Sequence, residues 1–271
     1  MPEGHVPVLS VQARILPQAW EKAVMRCWEK GIPVHTEYDR AGDPPSRDCT
    51  MIITVNAPLA EPRIHRAFPG SLEDLEIYRQ EVVNGIHDHW IAPQDGKWTY
   101  TYHQRLFDYQ ASGQSIDQIA YLVNKLATVP HSRRAQAITW SPLIDPPTED
   151  PPCLQRIWCR LIRGTRGFVL NLNAHWRSRD AFKAAYMNMF ALTELQRQIA
   201  EEISGHSGRP VRVGRYVDIS DSFHIYGSYA EEFQQFLGTI RERTFPQRVW
   251  KTSFAEPSFD EARRRLSQET N

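Results

Sequence analysis

Cys153 follows Pro151-Pro152 and ends the proline-rich stretch Asp145-Pro146-Pro147-Thr148-Glu149-Asp150. A cysteine attacks through its thiolate, so a nucleophilic role there needs positive charge close by. Arg156 and Arg160 are near in sequence, but side chains on an extended chain alternate in direction. Taken alone, Cys153 fits the ordinary fate of a free cysteine, a small buried side chain. His131-Ser132-Arg133-Arg134 is a second cluster, and a short charge run is by default a solvated patch. Arg177-Ser178-Arg179-Asp180 lies at a strand-to-helix junction, where backbone N–H groups and the helix dipole suit a phosphate. A helix cap with surface ion pairs explains the same residues. His224 and Tyr226 are two apart and share one side of a strand, able to hold a sugar hydroxyl or to form a polar core pair.

The elements that must position these groups read as mixed strands and helices. Strand patterns occur at Met51–Val55, at Ala137–Trp140, after Cys153 with Ile157, Cys159 and Leu161 on one side, at 168–173, and around 211–219. The clearest helix runs from about Asp180 to Ile203, with Leu192, Leu195, Ile199 and Ile203 on one face. Ser178 is its expected cap and Gly205 its expected stop. Shorter helices are expected over 18–30 and 116–127. Strict βαβ alternation is missing, which favours an α+β fold. Adjacent prolines in 145–152 mark a loop too short for an interdomain linker, so one domain over 1–271 is expected.

Lys+Arg and Asp+Glu both number 32, and this balance gives no general reason to bind DNA or a membrane surface. The four cysteines form no C-x-x-C pair, so no metal site is expected. The N-terminus lacks an apolar stretch of signal-peptide length, and no window approaches the roughly 18 apolar residues of a membrane span. A reduced, cytoplasmic protein is expected.

The order of the pieces is more specific than any one of them. Asp117-Gln118-Ile119, Ser132-Arg133-Arg134, Trp140, Pro151-Pro152-Cys153, Arg177-Ser178-x-Asp180, Asn188 and His224-x-Tyr226 together resemble the thymidylate synthase family, across roughly residues 78–229. The segments YTYHQRL and PPCLQRIW look like its divergent archaeal-type branch.

The resemblance implies a role for each matching residue. Cys153 is the nucleophile that adds to pyrimidine C6. Arg177 and Ser178 bind phosphate in the same subunit, and Arg133 and Arg134 reach the partner's phosphate. Asn188 reads the N3/O4 edge of the base, His224 and Tyr226 hold the sugar 3′-hydroxyl, and Asp180 binds the folate pterin. On looser alignment, Glu81 shuttles protons, Tyr102 lies near the nucleophile, Trp90 lines the folate pocket and Arg47 is the N-terminal phosphate arginine.

The implied fold is a mixed sheet packed by a long helix, forming a homodimer through the sheet. The implied reaction converts dUMP to dTMP with 5,10-methylenetetrahydrofolate, or a related reduced pterin, as cosubstrate. A pyrimidine nucleotide (CMP, dCMP or UMP) 5-hydroxymethylase and an inactive nucleotide- or RNA-binding homologue are the alternatives. Several positions depart from the common bacterial pattern. Leu154 stands where histidine is frequent, Ala174-His175-Trp176 precedes Arg177, Ser222 stands where aspartate is frequent, and the tail Arg263–Asn271 is not apolar.

Overall fold

The computed structural model describes residues 4–269. In chain order the elements are β1 (Val8–Ala13), α1 (Leu16–Lys30), β2 (Ile32–Val34), β3 (Ser46–Val55), β4 (Ile64–His65), α2 (Leu72–Asn84) and α3 (Tyr102–Phe107). There follow β5 (Tyr109–Ala111), β6 (Gln114–Ile116), α4 (Gln118–Thr128), β7 (Gln136–Ile138), β8 (Leu154–Gly164), β9 (Gly167–Asp180) and α5 (Ala185–Ser207). The chain ends with β10 (Val211–Ile225), α6 (Ala230–Glu242), β11 (Val249–Trp250) and α7 (Thr252–Glu269).

Seven strands make one mixed sheet in the order β1-β3-β10-β9-β8-β7, with β2 beside β3. β1 is parallel to β3 and β10 to β9, while the other pairs are antiparallel. The expected α+β class, single domain and mixed sheet are all present. One sheet face is apolar: Met51 and Ile53, Ile157 and Cys159, and Leu170 and Leu172 are fully buried there. α5 packs on that face and buries most of its own surface, so its sequence is apolar well beyond one stripe. Gln196 ties it down by donating to Leu170 O at 2.9 Å. α1 covers the neighbouring part, and Trp20 donates its indole N–H to Ala181 O at 3.0 Å. The opposite face, with Ile52, Trp158, Asn173, His175, Val217 and Ile219, is only half covered.

Two boundaries differ from the sequence expectation. α5 begins at Ala185, because Ser178, Arg179 and Asp180 extend β9. Ser178 therefore caps nothing. Asp180 instead accepts from Phe182 N at 2.9 Å and Lys183 N at 2.8 Å in the turn before the helix. The helix also runs through Gly205 and stops at Gly208, whose φ of 63° supplies the left-handed conformation a C-cap needs.

Candidate active site

The loop into Cys153 is fixed from two sides. Arg105 on α3 makes a buried ion pair with Asp145, with 2.6 Å between Nη2 and Oδ1. Asp145 also accepts from Ser141 N at 2.6 Å. Further on, Arg177 on β9 donates to Pro152 O at 3.1 Å and to Pro151 O at 2.6 Å. Those carbonyls belong to residues that have no N–H of their own to anchor them. Arg177 N donates to Cys153 O at 2.9 Å, and Leu154 N donates to the Tyr102 hydroxyl at 3.3 Å. Cys153 is thus held half-buried at the head of β8.

The charges that act on its thiol come from β9 and the loop. Burial raises the Cys153 pKa, Arg177 pulls it down most strongly, Asp150 raises it and Arg179 lowers it. The balance lies above an ordinary thiol, so the resting group is protonated. Arg156 and Arg160 are not among these influences. Alkylation of Cys153 by iodoacetamide is accordingly expected to need a higher pH than a free cysteine. Asp150→Asn should move the midpoint of rate against pH downwards, and Arg177→Ala should move it upwards. Equal midpoints in all three proteins would disprove this electrostatic account.

A polar pocket of about 320 Å³ opens beside the sheet, lined by Thr36, Glu37, Tyr38, Asp48, Ser178, Ser222, His224 and Tyr226. A register shift in β10 between Ser220 and Phe223 creates it. The bulge keeps Phe223 in the core and turns Ser222 and His224 towards the pocket, as bulges do when they re-aim side chains. Opposite them in the ladders stand Ser178, Asp180 and Asp48. His224 is buried, its ring lies 4.5 Å from that of Tyr226, and desolvation lowers its pKa to about 4. Burial raises Tyr226 to about 12, with Asp180 the next contributor. Among the described residues, the lining holds two carboxylates, Glu37 and Asp48, and no lysine or arginine. Arg47 does not join it: the guanidinium lies over Trp28 and 3.4 Å from Gly31 O, beside α1. Adjacent residues on a strand point to opposite faces, and Asp48 is the one turned into the pocket.

A second cleft of about 500 Å³ includes Glu81, Trp98, Tyr100, Tyr102 and Asp150 in its lining. Burial raises the Glu81 pKa, while a 2.9 Å hydrogen bond from His87 opposes it. Gly85, at φ 66°, ends α2 and lets the chain fold His87 back under Glu81. Trp90 stacks on His87 at 3.7 Å, and Trp98, not Trp90, lines the cleft. Asn188, buried on the first turns of α5, donates to the Tyr78 hydroxyl at 2.5 Å. Tyr78 and Glu81 are three apart on α2 and so share a face. Residues of both clefts feel Cys153: Tyr100 and Tyr102 on one side, Tyr226 on the other.

Asp180 is half-buried at the end of β9. Beyond its two backbone bonds it accepts from Tyr229 at 3.0 Å, and burial raises its pKa. Arg133 and Arg134 are exposed and far away. Cys159 N donates to Ala135 O, which sets Arg134 level with Arg160 on β8. At the usual rise per residue that is roughly 20 Å from Cys153, beyond the reach of a side chain. The residues not legible in the sequence are Tyr78, His87, Trp98, Asp48 and Asp150. Only the spacing of Tyr78 ahead of Glu81 offered a local signal. Among the described residues, no cluster of three or more His, Cys, Asp or Glu could hold a metal ion.

The family model "Thymidylate synthase" matches residues 71–263. A "Putative thymidylate synthase" of Methanopyrus kandleri is 31% identical over 71% of this chain and 84% of that protein. The protein of the same name from Methanocaldococcus jannaschii is 28% identical over 81% and 91%. Among solved structures, thymidylate synthase A from Bacillus subtilis superposes with a TM-score of 0.60 at 20% identity, covering 82% of this chain and 83% of that one. At that identity the superposition speaks for the fold.

Proposed function

The chain belongs to the thymidylate synthase family, and on that premise we propose that it methylates dUMP to dTMP, with 5,10-methylenetetrahydrofolate as cosubstrate. The observation that supports this best is Cys153 within electrostatic reach of both clefts, one polar and sugar-sized, the other aromatic. Addition of the Cys153 thiolate at C6 makes C5 of the pyrimidine an enolate-like nucleophile, dividing one hard step into easier ones. Arg177 holds the loop that aims the sulfur and favours its anion. The Asn188 amide keeps one N–H for O4 and its oxygen for N3–H, while Tyr78 fixes its orientation. Burial raises the Glu81 pKa, the direction that suits a proton carrier.

The aromatic cleft, with Trp98, Tyr100 and Tyr102 in its lining, suits a flat pterin. Asp180, paired with His224 on the polar side, retains acceptor capacity beyond its three bonds. The reduced folate, when bound, supplies both the one-carbon unit and the hydride. His224, Tyr226 and Ser178 are the sugar and phosphate contacts of the polar pocket. Among the described residues the lining holds no lysine or arginine, although the Arg177 charge reaches Tyr38 in it, so the phosphate charge calls for Arg177 and for Arg133 and Arg134 of a second copy. The half-covered sheet face is the surface through which such a homodimer forms.

One observation favours a second reading, transfer at the hydroxymethyl level. The C-terminal segment is the end of α7, docked on α2 by Arg263–Glu76 at 3.1 Å and Arg265–Glu73 at 2.8 Å. Thr270 and Asn271 lie outside the described residues. With α7 docked there, Trp98 keeps 40% of its surface exposed, and water reaching the cleft would compete with hydride. The test is to incubate protein, methylenetetrahydrofolate and either dUMP or dCMP. dTMP with dihydrofolate is the expected product from dUMP, with dCMP consumed more slowly because Asn188 suits uracil. A hydroxymethyl nucleotide with tetrahydrofolate supports the second reading, and consumption of neither nucleotide disproves both.

A further inference from the structure

We propose that Asp48, acting through Ser222, is a positioning residue that fixes the His224 imidazole with a bare nitrogen facing the sugar. This rests on the nucleotide reading of the pocket. Three contacts define the chain. Ser222 Oγ lies 3.1 and 3.0 Å from the two carboxylate oxygens of Asp48. The same oxygen lies 3.1 Å from His224 Nδ1. His224 and Asp48 are also direct partners across the β3–β10 ladder.

The direction of each bond follows from counting protons. A serine hydroxyl has one hydrogen, and an ionised carboxylate only accepts. Ser222 therefore donates to Asp48, and its lone pair receives the proton on His224 Nδ1. The Ser222 backbone also favours a proton on this ring. The imidazole carries a single proton at neutral pH, so Nε2 is left as an acceptor. That nitrogen is buried and has no hydrogen-bond partner among the described residues. A buried polar atom without a partner is costly, so the arrangement is complete only when a ligand O–H donates to it. A sugar hydroxyl in the polar pocket does this. A phosphate oxygen at neutral pH has no such proton in its dianionic form, so it cannot satisfy this nitrogen.

Ser222 also accounts for a departure in the sequence. The family often has aspartate two positions before this histidine. Here the carboxylate arrives from β3 instead, one hydroxyl further away.

The experiment compares dUMP with 2′,3′-dideoxyuridine 5′-monophosphate by calorimetry. The wild-type protein should bind dUMP about tenfold more tightly, the value of one well-placed hydrogen bond. Ser222→Ala and Asp48→Ala should weaken dUMP about tenfold and leave the dideoxy nucleotide unchanged, while Ser222→Thr keeps the preference. Equal weakening of both ligands would mean a merely structural role and overturn the proposal. The tautomer is read without ligand from the ring ¹⁵N shifts of His224. A bare Nε2 in the wild type, and a mixture in Ser222→Ala, are expected. A protonated Nε2 in the wild type overturns the relay whatever binds. If the tautomer is as expected and neither nucleotide binds, the relay stands and the nucleotide reading falls.

Discussion

Cys153→Ser is expected to lower turnover of dUMP by about 10³-fold or more, since a hydroxyl is a far weaker nucleophile than a thiolate at neutral pH. Cys159→Ser should keep most of the activity. The two cysteines are six residues apart on the same strand segment, but their settings differ. Cys153 lies half-buried at the strand head, where Arg177 and Arg179 favour its anion. Cys159 is fully buried on the core face, and burial alone pushes its thiol up. Its replacement puts a hydroxyl into an apolar core, so the effect belongs in stability and not in kcat. Activities must be compared at equal folded yield. Comparable loss in the two variants would remove Cys153 from the nucleophile's place.

The second large effect concerns the assembled site. On the proposed homodimer, Arg133→Ala/Arg134→Ala and Cys153→Ala should each be inactive alone. After mixing and exchange of subunits, activity should return to about a quarter of wild type, because half the dimers are mixed and each holds one intact site of two. The arithmetic depends on the arginines serving the other chain's pocket. Their own Cys153 is roughly 20 Å away along β8, and among the described residues the polar pocket's lining includes no lysine or arginine. Exchange demonstrated by mass spectrometry, with no recovery of activity, would show that Arg133 and Arg134 act elsewhere.

The helices and strands were readable because burial leaves periodic marks. Leu192, Leu195, Ile199 and Ile203 show the face of α5, and Ile157, Cys159 and Leu161 show that of β8. The errors lay at ends. Gly205 looked like a stop but sits inside α5, and the serine expected to cap that helix belongs to β9. A local signal cannot tell how far a strand runs before its helix begins, because ladder pairing with β10 decides that.

By itself, the sequence determined the α+β class, the long central helix, and a chain-ordered set of chemical groups matching the thymidylate synthase family. Those features are one-dimensional: periodicity, and the order of Cys153, Arg177, Ser178, Asp180, Asn188, His224 and Tyr226. Tertiary structure decided which groups meet. Arg177 and Arg179, not the nearer Arg156 and Arg160, act on Cys153, because β9 lies beside β8. Asp48 meets Ser222 across 174 positions of sequence, and Asn188 meets Tyr78 across 110. Trp98 takes the cleft while Trp90 stacks behind it on His87. A bulge in β10, which no residue type announces, turns His224 out of the core. Electrostatic and hydrogen-bond energies depend on distance in space, and only the folded sheet sets those distances.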